Sequence, residues 1–399
     1  MLAGIRIVEF AEGIAGPMAG LRLGDLGAEV VKVEAAEGDW MREAAPVQPD
    51  GMAAAFFALN RGKHGLTLGE NAQASGRVMR EMLRGADVFI TDRSPGELAE
   101  YGLADVLGTP WAENPRLIVA DVSDWGASGP WAGMPGCELA AQAFSGYTRY
   151  LGSSADDPRR LGADVGSCGA GVFTAQGVLA ALLARRESGQ GQRVSTSLLN
   201  ALISLKSIQL AAQSDPDQYS GPRVGGPHDA PERGWTTKDD PIFFSFGGSV
   251  GAEGRPGWTQ FVGEVGLEHL LEDKRLDANG RNSTGHGSLV HKMRETYEVA
   301  FANFTAEELV GKIRKYGANA ARYMRADETM VHPQTQALGL VREVEAGAGE
   351  KVAVRAFPAR FSRSATRTEG VAPQLGGDPS GWAASWGLSV ELLSSLRGT

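Results

Sequence analysis

The sequence predicts an α/β fold built on an open parallel sheet, and two observations carry this prediction. First, short runs rich in branched residues, such as "IRIVEF" at 5–10 and "AEVVKVE" at 28–34, alternate with longer runs of helical spacing. Second, a helical run at 15–27 joins these two strands, and crossovers of that kind between parallel strands are right-handed in nearly all proteins. The alternation is typical of one sheet with helices on its faces.

The elements after the first strand continue the alternation. In the first helix, Met18, Leu21 and Leu23 have helical spacing, and Gly27 suits the position just past the end. Further pairs are a helix near 73–84 with a strand at 86–92, a short helix near 95–107 with a strand at 116–123, and a long helix at 170–186 with a strand at 191–198 and an apolar helix at about 199–213.

The texture of the chain changes at about residue 214. The next residues are polar and rich in proline and glycine, which is typical of a loop or linker. Beyond them we expect a smaller lobe and a third section. The predicted pieces are a hairpin at 235–248, helices near 258–265, 287–302 and 305–316, and a section at 331–399 that ends in a helix.

Composition restricts the class of protein. A chain of 399 residues is too long for one ordinary core, so we expect two domains or one domain with a lobe. The net charge of -9 and the scattered basic residues argue against nucleic-acid binding. Only Cys137 and Cys168 occur, which suits a reducing cytoplasm. The six histidines do not have the spacing of metal ligands, so we expect no structural metal site. We also expect neither a secretion signal nor a membrane span.

Two segments are candidates for ligand binding. The loop at 11–20 is glycine-rich and opens a helix after a strand, so its N–H groups can hold a phosphate. Its glycines, Gly13, Gly16 and Gly20, lack the G-x-G-x-x-G spacing of dinucleotide sites, although Glu34 stands about where such folds place a ribose-binding acid. We therefore favour a phosphate-bearing ligand over a nicotinamide.

The second segment is "NRGKHG" at 60–65, on an expected loop. Arg61, Lys63 and His64 together can hold phosphate groups, whereas a solvated basic loop is the commoner explanation. The residues by themselves leave both interpretations open.

Two acids stand at predicted helix starts. Asp164 lies in the glycine-rich stretch "ADVGSCGAG", ahead of a long uncharged run, and Glu138 opens "ELAAQAFSG". A carboxylate at a helix start interacts well with the N–H groups there, so each acid is either a cap or a reactive group. No G-x-S-x-G elbow occurs, and Ser167 and Cys168 have no basic neighbour in sequence, so neither is expected to be a nucleophile.

Together these stretches resemble the class III CoA-transferases, the formyl-CoA transferase and carnitine CoA-transferase-like family, to which the α-methylacyl-CoA racemases are related. The pieces that carry the resemblance occur in order: "AGPMAGLRLGDLGAEVVKVEAAEGDWMR", "NRGKHGLTL", "ADVFITDRSPG", "NPRLIVADVSDWGASGP", "QAFSG", "ADVGSCGAG" and "GVLAALLARRESGQGQRVSTSLLNA". They cover most of residues 1–210, and "FPARFS" extends the resemblance into 331–399.

The resemblance implies a Rossmann-like large domain with an inserted smaller α+β domain. Residues 1–205 and 325–399 would form the large CoA-binding domain, and 206–324 the linker and small domain. Two subunits would be threaded through one another as an interlocked homodimer. The substrates implied are an acyl-CoA and a small carboxylic acid, with coenzyme A as a substrate and no tightly bound cofactor.

The resemblance also assigns the site. The family's catalytic aspartate falls on Asp164, which would carry the acyl group as an anhydride and then CoA as a thioester. Backbone N–H groups at the helix start would stabilise the oxyanions. Glu138 would orient or assist the site electrostatically. The residues expected to meet CoA are Gly13, Ile14, Ala15, Lys63, Asp92 and Arg93.

Departures from the family pattern leave alternatives. Cys137 stands where the racemases have a histidine and the formyl enzymes a tyrosine, so two-base racemisation and oxalate as acceptor are both disfavoured. The glycine loop of the formyl enzymes corresponds to "GGPHDAPERGW" at 225–235, which has fewer glycines and several charges. An acyl-CoA racemase, an intramolecular CoA-transfer isomerase, a nucleotide-dependent dehydrogenase and a non-catalytic subunit remain as alternatives.

Overall fold

The computed structural model describes residues 1–47, 51–108, 110–148, 157–214, 234–246, 257–276, 293–347 and 350–397. The chain divides into two compact units. One comprises Met1–Tyr147, Arg160–Leu205 and Pro333–Thr399, and the other Thr148–Arg159 and Lys206–His332.

A parallel six-stranded sheet organises the first unit. Its strands are β1 (Arg6–Phe10), β2 (Glu29–Glu34), β3 (His64–Thr67), β4 (Val88–Thr91), β5 (Ile118–Ser123) and β6 (Arg193–Ser197). Their order is β3-β2-β1-β4-β5-β6, and every pairing is parallel. The predicted open parallel α/β sheet is therefore confirmed. The order reverses between β1 and β4, and open sheets bind ligands beyond the carboxyl ends of the strands at such a switch point.

Helices cover both faces of this sheet. They are α1 (Ala15–Asp25), α2 (Ala54–Asn60), α3 (Ala72–Gly85), α4 (Pro95–Glu100), α5 (Glu138–Phe144), α6 (Val165–Ser188) and α7 (Leu198–Leu205). Strand side chains alternate between two buried clusters, as the period of two requires. Val8 and Phe89 pack with α3, while Ile7 and Ile90 pack with α1 and α6.

The second unit has its own aromatic core. Its elements are α8 (Ser207–Ala212), β7 (Ile242–Ser245), α9 (Gly257–Glu264), α10 (Arg294–Phe301), α11 (Ala306–Lys315), β8 (Asn319–Arg322) and α12 (Ala326–Val331). Trp235, Phe244 and Tyr297 are buried at its centre. The predicted hairpin at 235–248 is only partly correct, because Trp235 bridges to Ile242 but β7 pairs along its length with the distant β8.

The chain then returns to the first unit. It adds α13 (Pro333–Leu338), an antiparallel hairpin of β9 (Val341–Gly347) and β10 (Glu350–Arg355), α14 (Ser380–Ala383) and α15 (Val390–Ser394). Trp386 and Leu388, near the carboxyl end, pack in the same buried cluster as Val8. The two ends of the chain therefore share one core.

Helix α6 is longer than the sequence predicts, beginning at Val165 rather than residue 170. Among the described residues it is the one helix long and apolar enough to cross a membrane by length and composition alone, which the sequence analysis did not expect. The apolar character has a packing reason, because Val178 and Ala181 lie in the core beneath the sheet. A side chain at Gly171 would lie 2.6 Å from Cβ of Met18, so this glycine permits the close approach of α1.

Candidate active site

Asp164 is the residue immediately before α6. It occupies the N-cap position, yet its side chain accepts no capping hydrogen bond from the helix. Its Oδ1 instead pairs with Nη2 of Arg160 at 2.5 Å, and the side chain is 36% exposed. The carboxylate is therefore held at the helix start without being part of the cap.

Glu138, the first residue of α5, caps α6 in place of Asp164. Its Oε1 accepts from the N–H of Gly166 at 2.9 Å, and its Oε2 accepts from the N–H and the hydroxyl of Ser167, both at 2.7 Å. A carboxylate from another helix thus satisfies the two N–H donors that a local N-cap side chain would take. The sequence left the cap-or-catalyst question open for both acids, and the structure makes Glu138 the cap.

Three N–H groups that were expected to face an oxyanion already have acceptors within the protein. The N–H groups of Gly166 and Ser167 are bound to Glu138, and that of Cys168 donates to the carbonyl of Asp164 at 2.9 Å. Stabilisation of an oxyanion by the helix start stays a prediction, and it would require these N–H groups to exchange their present acceptors.

Gln142 was missed by sequence reasoning. It lies one turn after Glu138 on α5 and is fully buried. Its Nε2 donates to Oε1 of Glu138 at 2.7 Å and to the carbonyl of Ala163 at 3.1 Å, while its Oε1 accepts from the N–H of Leu161 at 3.0 Å. The i,i+4 spacing of Glu138 and Gln142 is the signal that was available, since such pairs face each other on a helix.

Hydrogen bonding keeps Glu138 ionised. Burial raises its pKa, but the hydrogen bonds from Gln142, Ser167 and the Gly166 N–H outweigh burial and lower the pKa below its usual value. Cys168, on the next turn of α6, is affected oppositely. Its pKa is raised by burial and by the negative charges of Asp164 and Glu138, so its thiol is a poor nucleophile.

A second group of predicted residues lies at the switch point between β1 and β4. The N–H of Glu12, just past β1, donates to Oδ2 of Asp92, just past β4, at 2.8 Å. The guanidinium of Arg93 pairs with Glu12 and lies 4.8 Å from the centroid of the Phe10 ring. Burial raises the pKa of Asp92 above its usual range. The structure therefore brings Asp92 and Arg93 to the loop that contains Gly13, Ile14 and Ala15.

The buried side chain of Asp39 fixes the conformation of the loop that contains Gly13. The N–H of Gly13 donates to both oxygens of Asp39, at 3.0 and 3.2 Å, so this N–H is engaged within the protein. Lys32 is fully buried and donates to Asp39 at 2.7 Å and to the carbonyl of Ala11. Gly13 has φ of +67°, and a Cβ there would lie 2.8 Å from the ring of Trp40.

Lys63 lies inside the protein rather than on a solvated loop, so that interpretation of "NRGKHG" is wrong. Its ammonium donates to both oxygens of Glu9 at 2.8 Å, to Oδ1 of Asn60 at 2.9 Å and to the carbonyl of Pro17 at 3.0 Å. Burial lowers the pKa of Lys63 to about 8, and Glu9 opposes this effect. Arg61 is also buried, against Asp25.

The side chain of Glu34 is not available to bind a ribose. Its side chain is 2% exposed, and Arg42 binds both of its oxygens at 2.7 Å. The acid that a dinucleotide fold would use is thus occupied, which argues against the dehydrogenase alternative. Most of the expected glycine loop at 225–235 lies outside the described residues, with Gly234 and Trp235 the exceptions.

Comparison with known proteins identifies the class. The pattern of CoA-transferase family III matches residues 2–379, and the chain belongs to this family. It is therefore an enzyme of the CoA-transferase class, as the resemblance implied.

Individual relatives agree with that class. Succinate–glutarate CoA-transferase of Agrobacterium fabrum is 28% identical over 389 residues, which cover 94% of this chain and 93% of that protein. Formyl-CoA:oxalate CoA-transferase of Streptomyces coelicolor is 31% identical over 60% of this chain and 61% of its own. The solved structure of a CaiB/BaiF family protein from Brucella suis has a TM-score of 0.83 and 25% identity, covering 96% of this chain and 99% of that one.

Proposed function

We propose that this enzyme transfers CoA from an acyl-CoA to a free carboxylic acid, with Asp164 as the covalent carrier. The observation that carries the proposal is that the two acids at the start of α6 have different roles. Glu138 accepts the hydrogen bonds of the first turn, which leaves the partly exposed carboxylate of Asp164 outside the cap. A positioned carboxylate of this kind is a recognised nucleophile in acyl transfer.

The proposed chemistry has two symmetrical halves. Asp164 attacks the thioester carbonyl and expels CoA thiolate, which gives a mixed anhydride. The thiolate then attacks the aspartyl carbonyl, releasing the donor acid and leaving an aspartyl-CoA thioester. The acceptor carboxylate displaces the thiolate to form a second anhydride, and the thiolate takes the acceptor acyl group, which regenerates Asp164. Each step exchanges intermediates of similar energy, so no step is strongly uphill.

The other predicted residues receive roles from their contacts. Glu138 stays ionised and holds the start of α6 beside Asp164. The nucleotide end of CoA is proposed to lie at the switch point, against Gly13, Ile14, Ala15, Asp92 and Arg93. The resemblance also placed Lys63 against CoA, but its buried ammonium binds Glu9 on β1 and the carbonyl of Pro17 on α1. We therefore propose that Lys63 supports this loop from within the protein and does not touch CoA.

We also propose the assembly that the resemblance implies, an interlocked homodimer in the cytoplasm, with 1–205 and 325–399 as the large domain and 206–324 as linker and small domain. Helices α5, α6 and α7 each carry exposed apolar side chains, which a second copy threaded around this chain would cover. The clearest are Phe144 at 55%, Leu183 at 63% and Leu205 at 48% exposure. Static light scattering should give twice the chain mass.

Succinate, glutarate, formyl-CoA and oxalate occur in the names of the relatives. For this chain we propose a small carboxylic acid other than oxalate as acceptor, because Cys137 replaces the tyrosine of the formyl enzymes. A panel of dicarboxylic and hydroxy acids, tested against succinyl-CoA and acetyl-CoA by mass spectrometry, would identify the pair.

The decisive experiment traps the intermediate. After incubation with the active acyl-CoA, hydroxylamine should modify the peptide that contains Asp164. Asp164→Asn should abolish both transfer and trapping while CoA still binds. Asp327→Asn is the matched control, because Asp327 also forms an exposed pair with an arginine, Arg325, at 2.9 Å. An unmodified Asp164 peptide during turnover, or deuterium uptake at the substrate α-carbon without an acceptor acid, would contradict the proposal.

A further inference from the structure

We infer that Gln142 is a positioning residue for the transfer reaction, fixing Asp164 through Glu138 and through the loop at 161–163. The inference rests on the proposed function of Asp164.

The contacts of Gln142 reach both sides of Asp164 in the chain. On the amino-terminal side, its carboxamide holds the N–H of Leu161 and the carbonyl of Ala163. On the carboxyl-terminal side, it holds Glu138, which in turn binds the N–H of Gly166. The backbone before Asp164 and the backbone after it are therefore both held by one buried side chain, that of Gln142.

The chemistry of these partners requires a neutral amide at position 142. The N–H of Leu161 is a donor and must face the carboxamide oxygen. The carbonyl of Ala163 and the ionised Glu138 are acceptors and must face its nitrogen. A carboxylate in this place keeps the contact with Leu161 and loses the other two. It also sets a second negative charge beside Glu138, where the N–O distance is now 2.7 Å.

Positioning of this kind affects the rate more than the affinity. A reacting group displaced by about 1 Å can lose on the order of 100-fold in rate. The CoA site proposed at the switch point involves neither Gln142 nor its partners. Loss of the amide should therefore lower kcat and leave KM for the acyl-CoA nearly unchanged.

The test compares Gln142→Glu with the wild-type enzyme over a range of pH. At about pH 8 we expect kcat to fall on the order of 100-fold, with KM within about threefold. Two carboxylates in contact share a proton as the pH falls, and a protonated Glu at 142 can again donate to Glu138. Relative to wild type at the same pH, kcat should thus recover by about tenfold towards pH 5. The thiol of Cys168, which interacts with Glu138, and Asp164, which pairs with Arg160, are common to both enzymes.

Three further variants separate positioning from general damage. Gln142→Met has similar size and no titratable group, so it should be slow at every pH without recovery. Gln142→Asn keeps a neutral amide on a shorter stem and should lose about tenfold in kcat, which provides a second measurement if the other two variants fold poorly. Gln73→Glu, at an exposed position on α3, should behave as wild type.

The outcomes distinguish this inference from the proposed function. Labelled Asp164 together with a Gln142→Glu enzyme as fast as wild type overturns the inference alone. A loss confined to KM, or an equal loss at every pH for Glu and Met, also overturns it. If Asp164 is never labelled in the wild-type enzyme, the proposed function fails and this inference fails with it.

Discussion

Glu138→Gln tests whether the carboxylate of Glu138 stabilises the start of α6. Each carboxylate oxygen meets two donors: Oε1 faces Gly166 and Gln142, while Oε2 faces the N–H and hydroxyl of Ser167. An amide of the same shape must turn its NH2 group towards one of these pairs. At least one backbone N–H then loses its acceptor, whichever way the amide is oriented.

The magnitude follows from that lost acceptor. A buried donor left unpaired costs about 1–3 kcal/mol, and loss of a negative charge at a helix start adds about 0.3–1 kcal/mol. Because the site is only partly buried, we expect a total of about 2 kcal/mol at pH 7. Equilibrium urea unfolding, followed by far-UV circular dichroism, measures this value. A fall in Tm of about 2–4 °C should accompany it, since the unfolding entropy is about 2.1 cal/mol/K per residue and the chain has 399 residues.

The pH dependence of the unfolding free energy provides an independent test of the same role. The pKa of Glu138 is lower in the folded protein than in the unfolded chain, so its stabilisation is fully present above the unfolded pKa of about 4.3. That contribution is lost as the pH falls through the lower folded pKa. The difference between wild type and Glu138→Gln should therefore shrink in acid. An unfolding free energy within about 0.5 kcal/mol of wild type at pH 7 would refute the capping role.

Three other substitutions have defined outcomes. Asp164→Asn removes a carboxylate from the same helix start, but since that group caps nothing, the unfolding free energy should change by less than about 1 kcal/mol; a loss equal to that of Glu138→Gln would show that Asp164 is a cap after all. Lys63→Met should destabilise the protein by about 3–5 kcal/mol because it leaves Glu9 buried without its nearest cation, and adding Glu9→Gln should restore part of the loss in the same urea titration. Gly13→Ala should cost about 1–2 kcal/mol from its positive φ and its approach to Trp40, and the double variant with Trp40→Ala should lose only the backbone part.

The fold was largely predictable from local pattern. Strands such as β1 and β2 are short apolar runs separated by a helix, which is the usual connection between parallel strands. The crossover rule then makes the connection right-handed. The predicted start of α6 was too late, and the part that was missed contains Gly166 and Gly169, which are poor helix formers. Packing overrides that propensity, because the glycines let neighbouring chains approach, as Gly171 does with Met18.

The sequence by itself determined the family, the parallel α/β sheet and the two acids at helix starts, since motif order and periodicity are local properties of the chain. It did not determine which acid is the cap. Glu138 precedes Gly166 by 28 positions, and no local rule connects them. Likewise, "NRGKHG" has the same charge on a solvated loop or in a buried network. Only tertiary structure placed Lys63 against Glu9 and Gln142 against the loop before Asp164, because long-range packing decides which buried polar groups become partners.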